Sequence, residues 1–310
     1  MPKPADDERR IILSGDERRK YSVRLRFEVE RSSFMGEINQ VVMLLDNGKN
    51  ATLGRSKAGS QGEIKSLYFL DIDGFSSATE AERYGMVAAQ SLLISAVSLN
   101  FGLRLIYDSH EPPAVIDKTM SRKGGTYFEI EVESYNGWTG EAITAELIKT
   151  ISHSLRDRRM LLALELYASS LVEQNTRSKF LLTVSAFEPL AQQEDLGPEV
   201  RSFVTRLCSE LDADLSIPGN LRSSLRGRIQ RLQEESVRQA LKRLCAKWFP
   251  DDPNAKKTID YVYGLRSDIL HEGRLKDLDV DLNYECKVAA KYLRLIFQKE
   301  FDMVLRVPVV

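Results

Sequence analysis

At 310 residues, 43% hydrophobic and 29% charged with a net charge of −1, the chain has an ordinary globular composition and the length of two domains. A balance so close to neutral excludes a wholesale nucleic-acid coat and leaves room only for local basic patches. No apolar run reaches the length that a membrane-crossing helix needs, so no membrane association is expected.

The opening stretch, Met1 to Arg10, has no apolar segment and is not expected to act as a secretion signal. Cys208, Cys245 and Cys286 are odd in number and far apart, and form no Cys-x-x-Cys pair. That usage fits a reducing cytoplasm and argues against a structural zinc site.

The first half alternates strand and helix signals. Tyr21, Val23, Leu25, Phe27 and Val29 alternate with Ser22, Arg24, Arg26, Glu28 and Glu30, the period of a half-buried strand. Val41 to Leu45 is a compact apolar run ending in the turn Asp46-Asn47-Gly48. Ser66 to Ile72 reads as a strand stopping at Asp73-Gly74; the fragment Asp71 to Gly74 lacks the later ligands of a calcium loop. Ser77 and Glu80 have the spacing of a capping box, which opens a helix expected to run to about Leu99. Phe101-Gly102 should break it, and Leu103 to Tyr107 reads as another strand.

Thr126 to Glu133 alternates Phe128, Ile130 and Val132 with Glu129, Glu131 and Glu133, a strand with a solvated acidic face. The loop Ser121 to Thr126 suits a mobile hairpin turn better than a phosphate cradle, and no Walker loop or dinucleotide glycine pattern occurs. Residues 1–140 therefore read as an α+β domain without a recognisable site. The turn-rich segment Asn136 to Gly140 is the expected boundary.

Beyond it helical signals take over. Leu155 to Glu173 is apolar on more than one side, and Phe180, Leu181, Val184, Phe187 and Leu190 continue the pattern. Gly197-Pro198 and Ser216 to Asn220 punctuate it, with Pro198 acceptable in a helix's first turn. Leu225, Ile229, Leu232, Leu241, Leu244 and Trp248 then step at helical spacing as a core stripe. Along the same stretch Arg222, Arg226, Arg228, Arg231, Arg238, Lys242, Arg243 and Lys247 stand against only Glu234 and Glu235, and Lys256 and Lys257 extend the run. It is either a solvated outer face or an electrostatic track for RNA phosphates. Trp248 and Phe249 are the only nearby aromatics for stacking. Leu282, Cys286, Ala289, Leu293 and Ile296 form a last bundle stripe.

Chemistry is most plausible at Leu265 to Gly273. If this stretch is helical, Ser267 and Asp268 lie four and three residues before His271, on its face, where either can bond the imidazole and select its tautomer. Arg266 is five residues before His271, about 140° round the helix. An imidazole that exchanges protons near neutral pH and a permanent guanidinium fork together suit a phosphodiester. Because the two heads stand apart, they converge only if the long arginine folds across the turn or a second subunit completes the site. Asp268 and Glu272 are the only local carboxylates and form no recognised metal pattern. Glu188, a carboxylate among apolar residues of an expected helix, is placed to face Arg266, as a site residue or an internal salt bridge. His110 and His153 sit in polar, turn-like settings and read as loop or cap residues.

Arg266 and His271, with Tyr261 to Leu265 before them and Glu272-Gly273 after, resemble the motif of HEPN domains, and of the Apea-like branch in particular. Leu164 to Tyr167, Ser178 to Leu182 and Ala186 to Leu190 resemble that branch's first helices, so the likeness covers the chain from near Leu155 to near Val304. It implies an all-α helical bundle over residues 141–310, dimerisation, and metal-independent RNA cleavage without a cofactor in an antiviral defence or stress role. After the arginine, where catalytic families commonly carry Asn, Asp or His, this chain has Ser267, which tunes an imidazole less strongly. The sequence thus points to an endoribonuclease acting through Arg266, His271, Ser267, Asp268 and Glu188. The alternative is a non-catalytic HEPN-type module that binds RNA or a protein. The α+β domain would then be a sensing or regulatory part.

Overall fold

A computed structural model describes residues 21–30, 40–45, 48–55, 65–106, 113–117, 138–151, 157–277, 279–302 and 305. A strand-rich N-terminal region is followed by a helical one, an α+β arrangement. The expected strand at Thr126 to Glu133, the loop Ser121 to Thr126, His110 and His153 lie outside the described residues.

The sheet grows from β1 (Tyr21–Glu30), β2 (Gln40–Leu44), β3 (Asn50–Arg55) and β4 (Lys65–Phe75), with the short β5 (Leu103–Leu105) and β6 (Ala114–Asp117). Its order is β2-β3-β4-β1-β5, with β6 also paired to β1, and every pairing is antiparallel. Alternation decides which face is buried: Val23, Leu25, Phe27 and Val29 of β1 pack inward with Leu70 and Ile72 of β4. On the other face Arg24 lies opposite Asp71 and donates to it at 2.6 Å while stacking over Phe69 at 4.9 Å. The carboxylate expected at a strand end thus belongs to a cross-strand ion pair, because β4 runs on through Gly74 to Phe75. Gly48 takes the positive φ of 73° that the turn after β2 requires.

The helix α1 (Ala78–Leu99) covers the inner face. Ser77 Oγ accepts from the Glu80 amide as expected, but the Glu80 carboxylate accepts from the Ser76 amide (3.0 Å) and binds Lys49 (2.9 Å). The cap is therefore shared with the β2–β3 hairpin rather than closed as a local box. Asn100, in the left-handed conformation at φ 59°, ends α1 one residue before the expected break. Then follow α2 (Gly140–Thr150), α3 (Arg158–Val172), α4 (Thr176–Ser185) and, much later, α9 (Leu282–Phe301). The caps Thr139, Asp157, Asn175 and Asp281 satisfy their first-turn amides.

The compact units divide between Ala186 and Phe187 and again between Val280 and Asp281, not near residue 140. Helices α2, α3, α4 and α9 share the unit of the sheet because α2 and α3 pack on α1 while α4 packs on α3 and α9.

The second unit, Phe187 to Val280, holds α5 (Pro198–Ala213), α6 (Gly219–Gln230), a 3-10 turn (Arg231–Gln233), α7 (Val237–Trp248) and α8 (Ala255–Glu272). Two antiparallel helix pairs, α5 with α6 and α7 with α8, build it. The single core stripe expected from Leu225 to Trp248 is interrupted. The helix breaks at residues 231–236, Leu232 is 55% exposed and α6 buries no residue, whereas Leu241 and Leu244 of α7 are buried. Spacing alone drew a stripe through α6 that tertiary packing does not cover. Glu188 also departs from expectation, lying in the turn that follows α4 rather than in a helix.

Candidate functional site

The whole stretch Leu265 to Glu272 lies in α8, which ends where Gly273 adopts φ 73° and its amide returns to the Ile269 carbonyl at 3.1 Å. Ala255, Ile259, Val262, Leu265 and Ile269 form the buried stripe. On an ideal helix Arg266 stands about 40° from Val262, and His271 about 180° from it. Arg266 therefore borders the packed face and His271, which is exposed, points to solvent.

Glu188 does meet Arg266. Nη1 of Arg266 lies 2.8 Å from Glu188 Oε1, with side-chain exposures of 17% and 31%. The same oxygen accepts from the Tyr263 hydroxyl at 3.0 Å, and the guanidinium lies over the Tyr263 ring at 5.6 Å. Partial burial, with the Glu188 charge behind it, raises the pKa of the Tyr263 phenol. The arrangement is a carboxylate, a phenol that stays protonated, and a guanidinium, in a half-open setting.

Asp268 and Ser267 do not serve His271. Asp268 binds Lys276 at 2.8 Å, and Lys276 also reaches Glu272 at 3.2 Å. That carboxylate pair raises the Lys276 pKa, Asp268 being the main cause. Among the described residues no hydrogen bond joins His271 to Ser267, Asp268 or Arg266. One chain therefore brings together Glu188, Tyr263 and Arg266, and leaves His271 apart.

Half of the basic stretch, Arg226, Arg238, Lys242 and Arg243, is matched by acids. Arg238 and Lys242 of α7 both bind Asp260 of α8, Lys242 at 3.1 Å, and the Arg238 contact holds the Asp260 carboxyl below its usual range. Arg243 binds Glu194 at 2.7 Å and Glu235 at 2.9 Å. Arg226 pairs with Asp212, and Arg222 donates to the carbonyls of Asp212 (3.1 Å) and Ile217 (2.9 Å). Arg228 and Arg231 are exposed and make no ion pair among the described residues. Lys247 lies over the Trp248 ring at 4.6 Å, so that aromatic already carries a cation.

Sequence reasoning passed over Tyr263, although a tyrosine three residues before an arginine on one helix is a legible neighbour. Asp260 and Asp212 gave no such signal, since their partners lie on other helices. Among the described residues no group of three or more His, Cys, Asp or Glu is placed to hold a metal ion, and no helix is long and apolar enough to cross a membrane. Compared with protein-family models, curated proteins and solved structures, the chain finds no match.

Proposed function

We propose that this protein is a metal-independent endoribonuclease of the Apea-like HEPN type, acting in the cytoplasm, whose working pair is Arg266 and His271. The helices from α2 onward, which are shared between the two compact units, would be its HEPN-type part, and the sheet with α1 its sensing or regulatory part. The observation that supports this reading is α8 itself. One uninterrupted helix carries a guanidinium anchored at a half-open carboxylate and phenol, and an imidazole free to meet solvent. Because these heads stand on different sides of α8, the competent site would take one from each of two copies.

In the reaction, the imidazole removes the proton of a substrate 2′-hydroxyl and the 2′-oxygen bonds to phosphorus. The bond from phosphorus to the 5′-oxygen breaks and that oxygen takes up a proton. The products are a 2′,3′-cyclic phosphate and a 5′-hydroxyl. The guanidinium stabilises charge growing on the phosphoryl oxygens, for which its fork is suited. Where the site engages phosphate, Glu188 must share or release Arg266.

The test is end-labelled RNA incubated with the protein in excess chelator, beside the DNA counterpart and a 2′-O-methyl strand. Only the RNA should be cut, and His271→Ala and Arg266→Ala should each abolish cutting. Cleavage of DNA or methylated RNA, or loss of RNA cleavage with chelator, refutes the mechanism.

A second reading is a non-catalytic module that binds RNA or a protein. It is favoured by the commitment of Arg266 to Glu188 and of Asp268 to Lys276, which leaves His271 without an orienting partner among the described residues. RNA bound but never cut, under any condition, selects it.

A further inference from the structure

Residues 196–233 form a two-helix arm with very little core of its own. Val204, Cys208 and Leu211 are the buried side chains of α5, and α6 buries none. By contrast Leu196 (41%), Phe203 (49%), Leu221 (49%) and Leu232 (55%) are exposed large apolar residues along it, and Leu215 (84%) is exposed in the loop at its tip. Antiparallel helices of this length are marginal in water without tertiary cover.

Phe203 of α5 and Leu221 of α6 share one side of the arm. The Asp212–Arg226 ion pair marks the opposite side of the hairpin. On ideal helices Phe203 lies about 180° round α5 from Asp212, and Glu199 and Glu210 about 140° and 160° from it. On α6, Leu221 lies about 140° from Arg226 and Arg228 about 160°, and Arg231 follows at the start of the 3-10 turn. The side away from the ion pair thus has an apolar centre, with Arg206 over the Phe203 ring at 5.4 Å, the acids Glu199 and Glu210 on α5, and a basic rim at the end of α6 (Arg228, Arg231). Glu199, Glu210, Arg228 and Arg231 are exposed and make no ion pair among the described residues.

We propose that this side of the α5–α6 arm is the docking surface for the same arm of a second copy of the chain, giving a four-helix antiparallel pairing. Charge selects the occupant. A two-fold axis parallel to the helices sets α5 of one copy against α6 of the other, so Glu199 of each copy meets the basic rim of its mate. Because the base of the hairpin lies at residues 196 and 233, Glu199 comes level with Arg228 and Arg231 of its mate. Phe203, Leu221 and Leu232 are covered in the same step, the apolar centre within a polar rim that association requires. The inference uses no residue of α8; the ribonuclease reading needs two copies but not this surface, so a dimer formed elsewhere separates the two.

Sedimentation velocity of the full chain at micromolar concentration tests it. The wild type should be a dimer, and Phe203→Glu should shift it to monomer with unchanged helical circular dichroism, since Phe203 is half exposed. Glu199→Arg and the double variant Arg228→Glu/Arg231→Glu should each raise the dimer dissociation constant about tenfold or more by facing like charges. Mixing those two variants should restore dimers, because both contacts then unite unlike charges. A wild-type monomer, a dimer indifferent to Phe203→Glu, or charge variants that fail to rescue each other would overturn the proposal. RNA cleavage by a dimer that is indifferent to Phe203→Glu would overturn this proposal and leave the ribonuclease reading standing.

Discussion

Two arginines, one in each compact unit, show opposite uses of a guanidinium withdrawn from water. Arg294 of α9 is fully buried, and its Nη groups donate to the carbonyls of Val97 and Ser98 at the open end of α1 (Ser98 at 3.2 Å). Burial lowers its pKa and pushes the neighbouring Tyr167 phenol up to about 12. Arg266 of α8, 17% exposed, instead faces a carboxylate and a phenol. A cation set on helix-end carbonyls satisfies groups that cannot leave, and so belongs to the fold. A cation set on a half-exposed carboxylate holds a partner that a phosphate can replace, so it is open to chemistry.

The comparison breaks most easily at Arg294. Arg294→Met should cost about 3 kcal/mol by removing the buried donor shared by the Val97 and Ser98 carbonyls, of which Val97 keeps the Asn100 amide, read by denaturant unfolding. A loss below about 1 kcal/mol would show that Arg294 is no cap.

Next in size is a pair of glycines. A Cβ on Gly102 would stand 2.7 Å from the backbone of Leu171 and Val172, so Gly102→Ala should cost about 2 kcal/mol in the same assay. Gly264 of α8 meets only Arg238 Nη2 at 4.0 Å, and Gly264→Ala should stabilise by about 1 kcal/mol through helix propensity. Equal effects at the two sites would erase the contrast between close packing around α1 and an open face on α8.

Glu188→Gln sharpens the Arg266 side. The pair is partly exposed, so stability should fall by less than about 1 kcal/mol. Modification of Arg266 by an arginine-selective dicarbonyl, followed by mass spectrometry, should nonetheless speed up several-fold. Unchanged reactivity would mean that Glu188 does not hold the guanidinium.

The smallest effect is pH-dependent and lies in the sheet-bearing unit. Lys49 above all, helped by the Ser76 amide, lowers the Glu80 pKa from 4.5 to about 2. A depressed folded pKa gives stability that is present above the unfolded value and lost as pH falls towards the folded one. The Tm difference between the wild type and Glu80→Gln should therefore be full above pH 4.5 and vanish towards pH 2. A difference independent of pH would remove Glu80 from the acid response.

What the sequence by itself determined was local and periodic. Alternation from Tyr21 to Glu30 placed β1, Ser77 started α1, and Pro198 started α5 within a residue. The stretch around His271 is helical, and helical geometry alone separated Arg266 from His271. Such signals are repeated over many residues and depend on the covalent chain, so they survive without knowledge of the fold. The short strands β3 and β6 repeat too little to be read in that way.

Only the tertiary structure decided which groups meet. Glu188 and Tyr263 come to Arg266, Lys276 binds Asp268, and Asp212, Asp260, Glu194 and Glu235 pair with four of the eight basic residues of the Arg222 to Lys247 stretch. It also buried Arg294, whose place in the pattern of α9 marks it as any other charged residue. A charge's partner is set by distances between elements remote in the chain, and Coulomb attraction and desolvation act through those distances rather than through sequence order.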